Sequence, residues 1–322
     1  MAKMLITGGA GFIGSHLAER LLADGHEVTV LDDLSTGRLE NVRHLIDDSR
    51  VQLVRDSVEN VSAVNIAMAQ CDAVFHLAAA VGVQLVADEP VRTIATTIHG
   101  TEVVLDSAHR YNRPILITSS SEVYGKGTRV PFAEDDDVVM GATRYSRWCY
   151  AYSKGIDEFL GLAYQRQFKL PVVIVRLFNT VGPRQVGMYG MVLPRFVTAA
   201  LANKPLQVYG DGEQTRCFCH VSDVVDALSR LIKSPAAVGE VFNVGSDEEI
   251  SMTNLARRVI HLAGSKSTVE YVPYEKAYGR EFDDLRRRVP KLDRIQRVIG
   301  FKPTKNLDQI VQSVIDEQRK SG

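Results

Sequence analysis

Met4-Leu5-Ile6-Thr7-Gly8-Gly9-Ala10-Gly11-Phe12-Ile13-Gly14 decides the fold of this chain. A short apolar run breaks into glycines spaced Gly8-x-x-Gly11-x-x-Gly14. A helical pattern follows from Phe12 through Leu22, with Ile13, Leu17, Leu21 and Leu22 on one face. Glycines at a strand-to-helix junction permit a tight turn and let backbone N–H groups approach a pyrophosphate, which the helix N-terminus then faces. The next strand, Val28 to Leu31, ends at Asp32. A carboxylate there accepts hydrogen bonds from adenine ribose hydroxyls and repels a 2′-phosphate, which selects NAD over NADP. A turn aspartate would explain Asp32 by itself; the complete fingerprint favours the dinucleotide. Arg38 could meet a 2′-phosphate but lies deeper in the loop.

Outward from this unit, strands and helices alternate. Val51–Val54, Ala73–Leu77, Pro114–Thr118 and Val172–Val175 read as further strands. Helical patterns include Val103, Val104 and Ala108, and later Tyr150 to Phe168. Near-continuous apolar strands between helices predict a parallel sheet covered on both faces. The fold class is therefore α/β, a doubly wound parallel Rossmann sheet. After Arg176, Gly and Pro become frequent and the pattern changes to a smaller α/β region. Val221–Leu231 and Val241–Val244 look like elements that return to the first domain. The expected division is interleaved: residues 1–176 and 217–246 bind the dinucleotide, and 177–216 and 247–322 bind substrate.

Composition excludes other classes. The 322 residues carry 38 Lys plus Arg against 39 Asp plus Glu, a net charge of −1. Such a chain has no global field for nucleic acid or an anionic membrane; Arg286-Arg287-Arg288 is a local basic patch. With 45% hydrophobic residues the chain is not disordered. No apolar run is long enough to span a bilayer, and the N-terminus lacks a signal-peptide layout. Four cysteines do not make a disulfide framework, and Cys217-x-Cys219 has the wrong spacing for a zinc knuckle. No metal site is expected, and the location expected is cytoplasmic. Glu134 to Asp137 reads as a solvated charge run.

The chemistry gathers at two places. Thr118-Ser119-Ser120-Ser121-Glu122 sits at the carboxyl end of a strand, where open α/β sheets bind ligands. Tyr150 and Lys154 are four apart on a helix and share a face; Tyr152 lies on another. A free phenol is a poor base at neutral pH, with a pKa of about 10. A unit positive charge ~4 Å away is worth about 4 kcal/mol at an effective dielectric of ~20, roughly three pKa units. Lys154 is thus expected to bring the Tyr150 phenol toward 7, while a serine hydroxyl bridges phenol and substrate. Asp56, after the third strand, could accept from the adenine amino group. Leu77-Ala78-Ala79 would let a flat cofactor lie close.

The Gly8–Gly14 loop, Asp32, the Ser-rich strand end with Val123-Tyr124-Gly125, and Tyr150-x-x-x-Lys154 resemble the extended short-chain dehydrogenase/reductases. Arg176-Leu177-Phe178-Asn179, Gly182-Pro183-Arg184, Val208-Tyr209-Gly210-Asp211-Gly212, Arg216 and Phe242-Asn243-Val244-Gly245 are similar to the nucleotide-sugar epimerase, dehydratase and decarboxylase branch. The resemblance implies Ser120, Tyr150 and Lys154 as catalytic residues, with Tyr150 as base and Ser121 and Glu122 beside them. It implies NAD contacts from Gly8, Gly11, Phe12, Ile13, Gly14, Asp32, Asp33, Ser35, Thr36 and Gly37. Asp56, Ser57, Leu77, Ala78, Ala79 and Thr97 extend that set, although many relatives carry asparagine where Thr97 stands. Asn179, Arg216 and Arg288 would hold the nucleoside diphosphate, Val192 and Tyr209 would flank the base, and Arg195 and Val208 are further substrate-binding candidates. A homodimer through two long helices is also implied.

In this family Tyr150 takes the proton of the sugar C4 hydroxyl and the C4 hydride leaves, giving a 4-keto sugar. The expected reaction is 4-epimerisation of UDP-glucuronate or UDP-glucose. Ala80-Val81-Gly82-Val83-Gln84, Cys217 to His220 and Tyr278 to Pro290 favour it by resemblance. The alternative is UDP-glucuronate decarboxylation, because Ser120-Ser121-Glu122 is one residue from the Thr-Ser-Glu of those enzymes. Dehydratases usually carry an Asp-Glu pair there, and one acid is missing. A non-catalytic NAD(H) sensor is a minor alternative, as is an alcohol dehydrogenase with exchangeable cofactor. Arg184 is a candidate clamp for a uronate carboxylate, with Arg144 or Arg147; a loop arginine paired with an acid is the competing reading.

Overall fold

A computed structural model describes residues 1–79, 89–187, 191–278 and 285–321. The sequence between Ala80 and Gln84, and positions 279–284 of the Tyr278–Pro290 stretch, lie outside the described residues. The first half builds β1 (Lys3–Thr7), α1 (Phe12–Ala23), β2 (Glu27–Leu31), β3 (Val51–Val54), α2 (Val61–Ala69) and β4 (Ala73–His76). It continues with α3 (Pro90–Arg110), β5 (Ile115–Ser120), α4 (Arg147–Phe168) and β6 (Val172–Leu177). β5 and β6 run two residues further than the apolar pattern suggested, so Ser119 and Ser120 end a strand instead of following it. α4 begins three residues before Tyr150, which places Tyr150 inside its first turn.

The central sheet has seven strands in the order β11-β6-β5-β4-β1-β2-β3, with β11 at Val241–Val244. All its pairings are parallel. The order reverses between β1 and β4, and the crevice at such a point is where doubly wound sheets bind ligands. One face is covered by Leu17, Leu21, Leu228 and Phe242, the other by Val104, Leu105, Val64 and Met68, all fully buried. Each such side chain contributes about 1.5–3 kcal/mol by leaving water.

The later half carries β7 (Thr180–Val181), α5 (Val192–Leu201), β8 (Leu206–Tyr209), β9 (Thr215–Cys217), β10 (Cys219–His220) and α6 (Val221–Leu231). After β11 come β12 (Glu249–Ser251), α7 (Met252–Ala263), β13 (Val269–Val272), α8 (Tyr274–Tyr278), α9 (Asp293–Ile299) and α10 (Leu307–Ser321). α5, α7 and α10 enclose a separate core around Phe196, Leu255 and Ile315. α6 packs on α1 and β11 pairs with β6, so the chain returns to the first layer after building part of the second.

Two charge runs behave differently from their sequence reading. Glu134 is buried, and its Oε1 accepts the Asn243 N–H at 3.0 Å, tying the loop to β11. The three arginines do not form a patch: Arg286 bonds Asp211, Arg287 bonds Glu249 and Arg288 bonds Glu122. All four cysteines are free thiols, and three are buried.

Candidate active site

A cleft of ≈ 530 Å³ runs across the carboxyl ends of β1, β2, β4, β5 and β6. At one end the wall is mostly backbone. Gly8 has φ +70°, and a Cβ there would stand 2.8 Å from the Ala78 N. A Cβ at Gly14 would collide with the Gly8 carbonyl. The glycines therefore let β1, α1 and the end of β4 close on one another, leaving Gly11, Phe12 and Ile13 facing the cleft at the start of α1. No acid occupies the first turn of α1, so its N–H groups favour an anion.

Asp32 lines this end and is nearly buried. Its Oδ2 accepts the Ala10 N–H at 2.9 Å and its Oδ1 the Leu34 N–H at 2.8 Å. Burial raises its pKa, opposed by these donors. Asp33, Ser35, Thr36, Ser57, Leu77, Ala78 and Ala79 complete the wall. Asp56 also lines it, but its carboxylate accepts from Asn60 Nδ2 (3.0 Å) and the Ser57 N–H (2.8 Å), ahead of any ligand. Two expected contacts stand back from the cleft. Thr97 is fully buried inside α3, its carbonyl accepting the Thr101 hydroxyl, and Thr96 lines the cleft instead. Gly37 packs under Asp32, where a Cβ would strike the carboxylate. This donor-and-glycine cradle fits an adenine dinucleotide.

At the middle of the cleft β5 and α4 bring Ser120, Ser121, Glu122, Tyr150 and Lys154 together. Ser120 Oγ accepts the Glu122 N–H at 3.2 Å, fixing the strand end. Tyr152 turns away and donates to the Gly141 carbonyl. With the protein's own groups alone, burial pushes the Tyr150 phenol above its ordinary value, and the Glu122 and Asp157 carboxylates add to that, against a hydrogen bond from Ser120. The Lys154 ammonium is not an isolated charge, because it donates to Asp157 Oδ2 at 3.1 Å. Behind them, Glu158 accepts from Ser119 Oγ (2.5 Å) and from Arg176 Nε (2.9 Å) and Nη2 (2.7 Å), which locks β5, β6 and α4.

The far end is built from side chains. Glu122 Oε1 accepts Arg288 Nη1 at 2.7 Å, and Oε2 accepts Arg147 Nη2 at 3.5 Å. Burial alone would raise the Glu122 pKa; the Arg288, Arg147 and Arg216 guanidiniums outweigh it and hold the carboxyl at about 2. Arg288 is buried. Neither the pairing of Glu122 with Arg288 nor that of Lys154 with Asp157 was anticipated; only the second had a signal, its spacing of three on one helix. Asn179, Val192, Val208, Tyr209, Arg195 and Arg216 line this end. Asn179 Nδ2 donates to the Cys217 carbonyl, which aims its remaining oxygen, and the Arg195 guanidinium lies 4.1 Å over the Tyr209 ring. Arg184 lines the cleft too, yet its guanidinium is committed to Glu19 and to Ser15 Oγ of α1. That is the loop arginine paired with an acid, not a clamp free for a uronate.

The family described as GDP-mannose 4,6 dehydratase matches residues 5–314. The chain is 40% identical over 314 residues to UDP-N-acetyl-alpha-D-glucosaminuronate decarboxylase of Bacillus cytotoxicus, covering 97% of this chain and 96% of that protein. It is 35% identical to UDP-glucuronic acid decarboxylase 1 of Xenopus tropicalis, covering 99% of this chain and 72% of that one. Among solved structures, UDP-glucuronic acid 4-epimerase from Bacillus cereus, in complex with UDP-glucuronic acid and NAD, superposes with a TM-score of 0.89 at 26% identity, over 99% of this chain and 100% of that one. The chain belongs to the GDP-mannose 4,6 dehydratase family, within the NAD-dependent nucleotide-sugar epimerases, dehydratases and decarboxylases.

Proposed function

We propose that this protein is an NAD-dependent decarboxylase of a UDP-hexuronate, working through a 4-keto intermediate. The observation that carries the reading is Glu122 set between Arg288 and Arg147 on the cleft wall beside Ser120. The full-length similarity to uronate decarboxylases supports it and reverses the order expected from sequence, where epimerisation came first.

Bound along the glycine cradle, NAD would supply hydride-acceptor and hydride-donor chemistry at C4. Gly8, Gly11 and Gly14 give the pyrophosphate its room, and Asp32 receives the adenine ribose. Tyr150 takes the proton from the C4 hydroxyl, with Ser120 hydrogen-bonding the same oxygen. Lys154 supports the phenolate that accepts this proton. The 4-ketone makes the C6 carboxylate that of a β-keto acid. Its C5–C6 bond breaks, CO₂ leaves, and the electron pair passes into a C4–C5 enolate. Ser120 and the protonated Tyr150 stabilise the enolate oxygen. A proton from water then adds to C5 and restores the C4 ketone; on its reduction Tyr150 would return its proton to the C4 oxygen. Glu122 is a fixed anion at neutral pH, so it orients Arg147 and Arg288 and is not the proton donor, which needs a pKa near the working pH. Ser121 stands where dehydratases usually carry the aspartate of an Asp-Glu pair, which argues against dehydration.

Purified protein, without added NAD, is incubated separately with UDP-glucuronate and UDP-N-acetylglucosaminuronate and followed by proton NMR and mass. Loss of CO₂ and a pentose product are expected, and the faster substrate names the C2 substituent. A C4 isomer of unchanged mass would make the protein an epimerase. The same reading includes a homodimer: Val91 and Ile94 of α3 and Ile156 and Phe159 of α4 are exposed on neighbouring helices, Val91 by 80% and Phe159 by 77%. Sedimentation equilibrium checks it, and Phe159→Glu should give a monomer. The free cysteines fit a reducing, cytoplasmic compartment.

A further inference from the structure

We propose that Glu158 and Ser119 are positioning residues: their hydrogen bond sets the register of α4 along the end of β5, and with it the meeting of Tyr150 and Ser120. Tyr150, Lys154 and Glu158 follow one another at spacings of four on α4 and so share one face. Ser119 and Ser120 are the last two residues of β5. Ser119 Oγ donates to Glu158 Oε1 at 2.5 Å, and both residues are buried. A hydroxyl bonded to a carboxylate at that length is charge-assisted, roughly twice as strong as a neutral pair. The tether stands one residue from Ser120 and eight residues, about 12 Å along the helix axis, from Tyr150.

The carboxylate is itself held from behind. Arg176 of β6 donates to it through Nε at 2.9 Å and Nη2 at 2.7 Å. Arg176 is fixed in turn: its Nη1 donates to the Glu134 carbonyl at 3.1 Å, and its guanidinium lies 4.7 Å over the Tyr124 ring. The Tyr124 hydroxyl donates to Asn243 Oδ1 of β11 at 2.7 Å. Glu158 is thus anchored to β6 and β11, and Ser119 takes its place from Glu158. In the β5–β6 ladder Ser119 stands opposite Arg176 and Ser120 opposite Leu177, so one arginine serves as reference for both strand and helix. Around this point the contact of α4 with the sheet is apolar, Gly161 lying against Ile117 and Val172. Apolar contact is non-directional and does not set a register by itself. A buried ion pair contributes little net stability over apolar packing of the same volume, and fixing register is its best-attested use.

The inference rests on the C4 chemistry of Tyr150 and Ser120 proposed above, a step common to decarboxylation and epimerisation. A misplacement of ~1 Å at reacting groups can cost about 10²-fold in rate, and loosening one tether should cost about 10-fold. The test is turnover of UDP-glucuronate per NAD-loaded molecule, with and without deuterium at C4, beside denaturant unfolding. In Ser119→Ala, kcat should fall about 10-fold with KM and retained NAD unchanged. The isotope effect on kcat should rise as the C4 step becomes slower. Ser119→Thr, which restores the hydroxyl, should recover kcat. A hydrogen bond of structural value only would lower the unfolding midpoint of Ser119→Ala and leave kcat and the isotope effect as in wild type, and that result overturns the proposal. Should Ser119→Ala not fold, Ser119→Cys, with a longer and weaker donor, decides on the same readouts, and wild-type kcat in it overturns the proposal. A wild-type protein that turns over no UDP-uronate and no UDP-glucose would overturn the proposed reaction and this inference together; an active wild type with an unaltered Ser119→Ala overturns this inference alone.

Discussion

The two ends of the cleft are built on opposite principles. The cofactor end is walled mostly by backbone, its glycine cradle and acid are drawn from one short stretch between Met4 and Asp32, and its tolerance is set by van der Waals contact. The sugar end is made of long charged side chains, and its central pair joins Glu122 to Arg288 across 166 positions of sequence. One end is fixed by shape and accepts a constant ligand. The other is fixed by a balance of charges, which small changes of residue can retune. Within one family, this is where chemistry can diverge while the cradle stays the same.

Four experiments break or sharpen that contrast. The largest effect is expected from Tyr150→Phe, which sits between the two ends. Turnover should fall by about 10²–10⁴-fold, the range for losing a general acid–base group, while retained NAD, measured in the denatured supernatant, should be unchanged. Loss of NAD as well would mean that the two ends are not separable.

Glu122→Gln should be next, and it probes the charge-built end. The native carboxyl titrates at about 2 against an ordinary 4.5. It therefore contributes stability that is fully present above pH 4.5 and is lost as pH falls toward 2. Its size is about 3 kcal/mol. Denaturant unfolding should show the variant weaker than wild type at neutral pH, with the gap closing over that acid window. A gap independent of pH would assign Glu122 a packing role only.

Gly14→Ala probes the backbone-built end, where the added methyl would meet the Gly8 carbonyl and the Gly9 Cα. A loss of about 1–3 kcal/mol is expected from overpacking, insensitive to pH between 5 and 8, together with loss of retained NAD. A pH-dependent loss would erase the distinction between the ends.

The smallest effect is expected from Arg184→Ala. Its pairing with Glu19 is partly exposed, at 20% and 33%, and worth about 1 kcal/mol or less. Turnover of UDP-glucuronate and UDP-glucose should change alike. A selective loss with the uronate would restore Arg184 as a carboxylate clamp and extend the charge-built end across the cleft.

Much of this protein is decided by local sequence. The Gly8–Gly14 loop, Asp32, the order of apolar strands and the Tyr150–Lys154 spacing each depend on a few neighbouring residues. Steric permission, strand burial and helical periodicity act over such short spans, so they are legible without a structure. Other features depend on which distant groups meet. A buried Glu134, three arginines each facing a different carboxylate, an Arg184 already committed to α1 and a Lys154 paired with Asp157 are outcomes of packing. Charge acts through space and through the dielectric around it, so the same residues could be a basic patch, a clamp or an activating cation until the fold chooses their partners. The sequence alone determined the sheet, the cradle and the shared face of Tyr150 and Lys154; the tertiary structure alone decided which charges are free to act, because only packing sets their distances and removes the water between them.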